Sequence, residues 1–171
     1  MDLSSPATFW TAYTACNMLA MAALLVCLEK PLLGRLLYSL LFGLSCVLQV
    51  YVAFFKPDVY TALAAHALLP LYKTFILESF SAYTLPLALA IATLQLWVAL
   101  SIWGKGWLFR GGIVVAILLL VLLLPLGLGA AFPAPLNLAI GLRLLLRRQP
   151  DEYLWPALFE RYLKTKDHQN V

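Results

Sequence analysis

Charge is what this chain has least of. Lys and Arg number 12 and Asp and Glu 8 among 171 residues, so 12% of the chain is charged, where soluble domains carry about 25%. With 63% of residues hydrophobic and a mean hydropathy of +0.89, an ordinary soluble domain is excluded. Cysteine is equally sparse: Cys16, Cys27 and Cys46 lie in apolar stretches, form no CxxC pair and are odd in number, which argues against a disulfide framework. Histidine occurs only at His66 and His168, so no metal site is expected. No Lys or Arg precedes the first apolar run, and Asp2 is the one charge ahead of it. A cleaved signal peptide starts basic and has a shorter apolar stretch, so this run is read as a membrane span. The net charge of +4 is scattered between apolar segments and forms no patch for nucleic acid.

What remains is a series of apolar runs, and they predict an all-α integral membrane helical bundle. Residues 7 to 28 and 36 to 55 are uncharged and long enough to cross a hydrocarbon core of about 30 Å, with Lys30, Pro31 and Gly34 between them. Residues 85 to 103 form a third run. Residues 111 to 147 are too long for one crossing, and Pro125, Gly127, Gly129, Pro133 and Pro135 divide them into spans at 111 to 129 and 133 to 147. The expectation is therefore five transmembrane helices in a domain over residues 1 to 148. Residues 56 to 84 are too polar to cross and are expected to form an interfacial helix at about 59 to 69 followed by a loop. Residues 149 to 171 read as a cytoplasmic amphipathic tail, with Tyr153, Leu154, Leu158, Tyr162 and Leu163 at helical spacing.

The basic residues orient this arrangement. Five alternating spans place Lys30, Arg35, Lys105, Arg110 and the six basic residues from Arg143 onward on one side, against Lys56 and Lys73 on the other. A four-span chain divides them more evenly. Because Lys and Arg are retained in the cytoplasm, the expected placement is the inner (plasma) membrane, multi-pass, with the N-terminus outside and the C-terminus inside.

Polar groups within the spans are the first candidates for function, since each is costly in lipid unless it faces a helix or a cavity. They are Asn17, Gln49, Gln95 and Asn137, expected to bond between helices or to touch a headgroup or quinone carbonyl. None is an acid or a base, which disfavours an ion-coupled carrier. The second candidate is the outward segment, where Asp58, His66, Lys73 and Glu78 accompany Tyr72. Asp58 and His66 are two helical turns apart on nearly one face, with Ala62 leaving space between them. Such a site could take the polar head of a ligand whose tail lies between the spans. Small residues at helical spacing, such as Ala12, Cys16 and Ala20, permit close packing within the chain or in a homodimer.

From residue 36 onward the order of motifs adds a resemblance. Leu36-Leu37-Tyr38 opens a span, Pro70-Leu71-Tyr72 follows the outward segment, and Gln95-Leu96-Trp97 sits in the next span. Pro125-Leu126-Gly127 and Phe132-Pro133-Ala134 precede a closing Leu-rich helix that ends at Arg147-Arg148. Over these residues the chain resembles the small bacterial DoxX-like membrane proteins, compact four-helix units. The resemblance implies a bacterial inner-membrane protein, with some relatives attached to quinone-linked oxidoreductases or thiol redox systems. The chain departs from that pattern by an additional N-terminal span and by its lack of paired cysteines. No catalytic residue carries over.

The expected function is an accessory subunit of a membrane complex, or a lipid- or quinone-binding module, without catalytic residues. Two rivals stand beside it: a membrane oxidoreductase or isomerase using His66 with Asp58 or Glu78 as acid and base, and a small-solute transporter.

Overall fold

A computed structural model describes residues 6 to 64, 67 to 148, 152 to 157 and 159. Among these the chain is helical throughout. Helix α1 (Pro6–Glu29) and α2 (Pro31–Phe55) are joined through Lys30, and a short α3 (Asp58–Ala64) follows. Helix α4 (Pro70–Thr74) runs into a π-helical turn (Phe75–Phe80), then come α5 (Thr84–Ser101) and α6 (Gly106–Leu123). A 3-10 segment (Leu124–Ala130) leads to α7 (Ala134–Arg147).

Four helical runs are long and apolar enough to cross a membrane: Phe9–Glu29, Pro31–Phe55, Thr84–Ser101 and Gly106–Ala130. No more than 28% of any such window is buried inside the protein, and many of their large apolar side chains are exposed. Leu40, Leu44, Val47 and Leu118 are examples. Surfaces of this extent suit hydrocarbon as the surrounding solvent and are far larger than the apolar patches a water-soluble monomer exposes.

The long helices close a ring, with α1 against α2, α2 against α5, α5 against α6, α6 against α7 and α7 against α1. Two hydrogen bonds set the direction of α7. The Tyr13 hydroxyl, near the start of α1, donates to the Phe132 carbonyl at 2.5 Å. Arg148, just past α7, donates to the carbonyl of Leu28 near the end of α1. Helix α7 thus lies parallel to α1, and residues 6 and 148 stand at opposite ends of the bundle. At one end gather Lys30, Arg35, Lys105, Arg110, Arg143, Arg147 and Arg148; Lys56 and Lys73 belong to the other.

The break between α6 and α7 falls within the Pro/Gly-rich stretch. Pro125 opens the 3-10 segment, and Gly127 adopts φ +57 and ψ −122, a region open to glycine and strained for residues with a Cβ. A Cβ there would also stand 2.6 Å from Leu68, whose amide donates to the Pro125 carbonyl at 2.9 Å. In this way the outward segment is clipped onto the turn between α6 and α7.

Three boundaries differ from expectation. Helix α2 starts at Pro31 rather than at residue 36, because proline in the first turn lacks only an N–H that has no helical partner there. The same device at Pro70 starts α4, so the stretch expected to be a loop is largely helical through Phe80. The interfacial helix is described over Asp58–Ala64, and residues 67 to 69, expected within it, are not helical. Of the tail, residues 154 to 157 form one helical turn, and Leu154 is fully buried. Leu158, Tyr162 and Leu163, expected on the tail's apolar face, lie outside the described residues.

Candidate functional site

A partly open cavity of about 440 Å³ lies between α1, α2 and the α6–α7 corner, within the size range of sites for small organic ligands. Its wall is built from α1 (Cys16, Ala20), α2 (Phe42, Ser45), the 3-10 segment (Leu126) and the start of α7 (Ala134). Cys16 and Leu19 line it while remaining exposed on the bundle surface, so its wall continues to the lipid-facing side beside α1. At the basic end α1 and α2 are in tight contact, where Gly34 sits against Cys27. The cavity lies further along the pair, where α1 is held to the α6–α7 corner. Asn17 Nδ2 donates to the carbonyls of Tyr13 at 3.0 Å and Ala131 at 3.1 Å.

Polar groups at the wall are few. The Tyr38 hydroxyl donates to the Leu138 carbonyl at 2.8 Å and is used there. Ser45 Oγ accepts from Gln95 Nε2 at 3.1 Å, which ties α5 to α2. Gln95 Oε1 is buried without a partner, and the Ser45 hydroxyl hydrogen has no acceptor among the described residues. Reversing the amide only moves the deficit to Nε2, because one hydroxyl cannot satisfy both ends of the amide. The Ser45 hydroxyl hydrogen therefore remains available at an otherwise apolar wall, while Gln95 Oε1 behind it and Asn17 Oδ1 near the α6–α7 corner are buried acceptors without a partner among the described residues.

The expected site residues divide into two groups. Asn17 and Gln95 are drawn to the cavity region and bond between elements. Gln49 and Asn137 are half-buried, and the Gln49 carbonyl accepts from the Tyr60 hydroxyl at 3.3 Å. In the outward segment Asp58, Lys73 and Glu78 are exposed, and none has a side-chain hydrogen bond or ion pair among the described residues. His66 lies outside the described residues. Tyr72 reaches inward, donating to the Leu122 carbonyl at 2.5 Å, and burial raises its phenol above the ordinary range, so it stays a neutral donor.

The arrangement contains groups the sequence did not single out. Arg35 is 1% exposed and donates to the carbonyls of Ile102 (2.8 Å from Nη2), Gly104 (2.7 Å) and Glu152 (3.1 Å), while its guanidinium lies 4.5 Å from the Phe109 ring centre. It thereby closes the C-terminal end of α5, where carbonyls lack helical partners and a cation is favoured. Beside it Trp103 Nε1 donates to Ser39 Oγ at 2.6 Å, and Ser39 in turn donates to the Ala99 carbonyl at 2.9 Å. The tail is fastened to the same corner: the Leu154 amide donates to the Trp103 carbonyl at 3.2 Å, and Trp155 stacks on Trp103.

No family model matches the chain, and comparison with curated proteins and with solved structures finds no match.

Proposed function

We propose that the chain is a five-span inner-membrane protein whose partly open cavity holds an apolar molecule bearing a carbonyl oxygen, such as a quinone or an acyl ester. In this reading it acts as an accessory or carrier module and performs no bond chemistry. The observation that carries the reading is a largely apolar cavity between the helices, open on one side, with the Ser45 hydroxyl hydrogen unspent at its wall. An apolar guest enters such a space without losing hydration, and a carbonyl gives the Ser45 hydroxyl the acceptor it lacks. A charged or strongly polar solute finds no counter-charge on the wall, which makes transport the weaker reading.

Helix α7 supplies the fifth crossing. Its 14 residues span only about 21 Å, so Arg143 and Arg147 extend to the interface and the bilayer thins locally. The basic end then faces the cytoplasm and the segment from Asp58 to Glu78 faces outward. The likeness to DoxX-like proteins supports an accessory role in a larger membrane complex.

The test is ligand retention. Protein extracted in mild detergent is expected to carry a quinone or acyl ester by native mass spectrometry, and Cys16→Trp, which fills the lipid-facing side of the cavity, is expected to abolish that retention while the fold persists. A ligand-free wild-type monomer, or equal retention in Cys16→Trp, would refute the proposal.

A further inference from the structure

A second groove, of about 480 Å³, lies between α6 and α7 at the basic end, lined by Ile117, Ala139, Ile140, Arg143, Leu144 and Arg147. We propose that it binds an anionic phospholipid, with the phosphate on Arg143 and Arg147 and one acyl chain along the apolar remainder. The site is separate from the first cavity and rests on the reading of α7 as a membrane crossing.

Three observations lead there. First, Arg143 and Arg147 are one helical turn apart on one face of α7, both exposed, and neither guanidinium has a hydrogen-bond or ion-pair partner among the described residues. Of the other arginines at this end, Arg35 is engaged on three carbonyls and Arg148 on Leu28, while Arg110 is exposed outside the groove. Second, two like charges at this spacing repel each other and weaken the helix. An anion between them removes that repulsion, and guanidinium groups match the paired oxygens of a phosphate. Third, the groove continues inward from the charges. Ile140 and Ala139 lie three and four residues before Arg143, about 4.5 and 6 Å further along the helix, and Ile117 of α6 lines the groove with them, so apolar wall begins directly inward of the charges. A phosphate at the mouth and hydrocarbon below it is the layout of a phospholipid. A basic pocket between spans on the side that retains Lys and Arg is where anionic headgroups are held.

The experiment uses the full chain reconstituted in phosphatidylcholine vesicles containing a minor fraction of phosphatidylglycerol, then extracted in mild detergent, with retained lipid read by native mass spectrometry. Wild type is expected to retain phosphatidylglycerol well above its share of the vesicle. Arg143→Gln with Arg147→Gln is expected to lower that enrichment about 25-fold, the product of about fivefold for each guanidinium. Ile140→Trp, which fills the groove and keeps both charges, is expected to lower it as well. Arg110→Gln removes an exposed charge from the same end but outside the groove, and is expected to leave retention unchanged. Inorganic phosphate at matched concentration is expected not to compete. Wild-type enrichment in the double variant or in Ile140→Trp, an equal loss in Arg110→Gln, or displacement by inorganic phosphate would each overturn the assignment. Retention of the ligand in the first cavity is expected to be unaffected by Arg143→Gln with Arg147→Gln, so the two sites are tested separately.

Discussion

Replacing Arg35 by methionine is expected to cost about 4 kcal/mol of stability, enough to leave much of the protein unfolded in mild detergent. The change keeps an unbranched apolar stem and removes the guanidinium with its donors. The Ile102, Gly104 and Glu152 carbonyls then lose their charged partner in a corner where Arg35 is 1% exposed. Hydrogen bonds to a charged group contribute about 1.5 to 3 kcal/mol each, and acceptors left unpaired in a dry site cost more than ones returned to water. Arg35→Lys is expected to recover only part of the loss, because one ammonium cannot cover acceptors from α5, the α5–α6 turn and the tail with a planar fork. Thermal unfolding followed by tryptophan fluorescence checks this directly, since Trp103 and Trp155 stack at that corner. Unchanged melting in Arg35→Met would show that the corner is held by other contacts.

The second large effect is expected where α2 meets α7. A Cβ at Gly141 would overlap the Tyr38 hydroxyl and come within 3.3 Å of Tyr38 Cζ. Tyr38 is fully buried, so it has no room to withdraw. Gly141→Ala is expected to destabilise by about 2 to 3 kcal/mol, the usual penalty for adding a methyl to a filled core. Tyr38→Phe alone is expected to cost about 1 kcal/mol through the lost bond to the Leu138 carbonyl. Combined, the two are expected to be less damaging than their sum, because the phenylalanine removes the atom that the alanine strikes. A double-mutant cycle on thermal unfolding measures the coupling. Strict additivity would mean that α7 shifts to relieve the overlap.

The parts of this structure that follow from solvent were legible in the sequence. Uncharged runs became the long helices, and the proline and glycine cluster between residues 125 and 135 became the turn between α6 and α7. Arg35 was not legible as a core residue. A charge at the edge of an apolar run reads as a membrane-side marker, and only once Pro31 is recognised as the first turn of α2 does Arg35 fall on the same inward stripe as Tyr38 and Phe42. The cavity was legible only in pieces. Asn17 and Gln95 were visible as polar groups in lipid, but Cys16, Ser45 and Ala134 meet only because the helix ring closes through α7. Periodicity along one helix carries no record of which neighbour it will face. Of the charged group at 58 to 78, His66 lies outside the described residues, and the exposure of the others could not be read from periodicity. Asp58 and Glu78 share a stretch of sequence, yet α3 and the π-helical turn leave both on the exposed side.

Both proposed ligand sites depend on α7 returning through the bilayer beside α1, so the locations of the two chain ends carry the most information. Epitope tags placed at each end can be probed with antibody on spheroplasts before and after permeabilisation. The expected result is an N-terminal tag reached from outside without permeabilisation and a C-terminal tag reached only after it. Detection of both tags on the same face would contradict five crossings and the cytoplasmic position of the arginine-rich end.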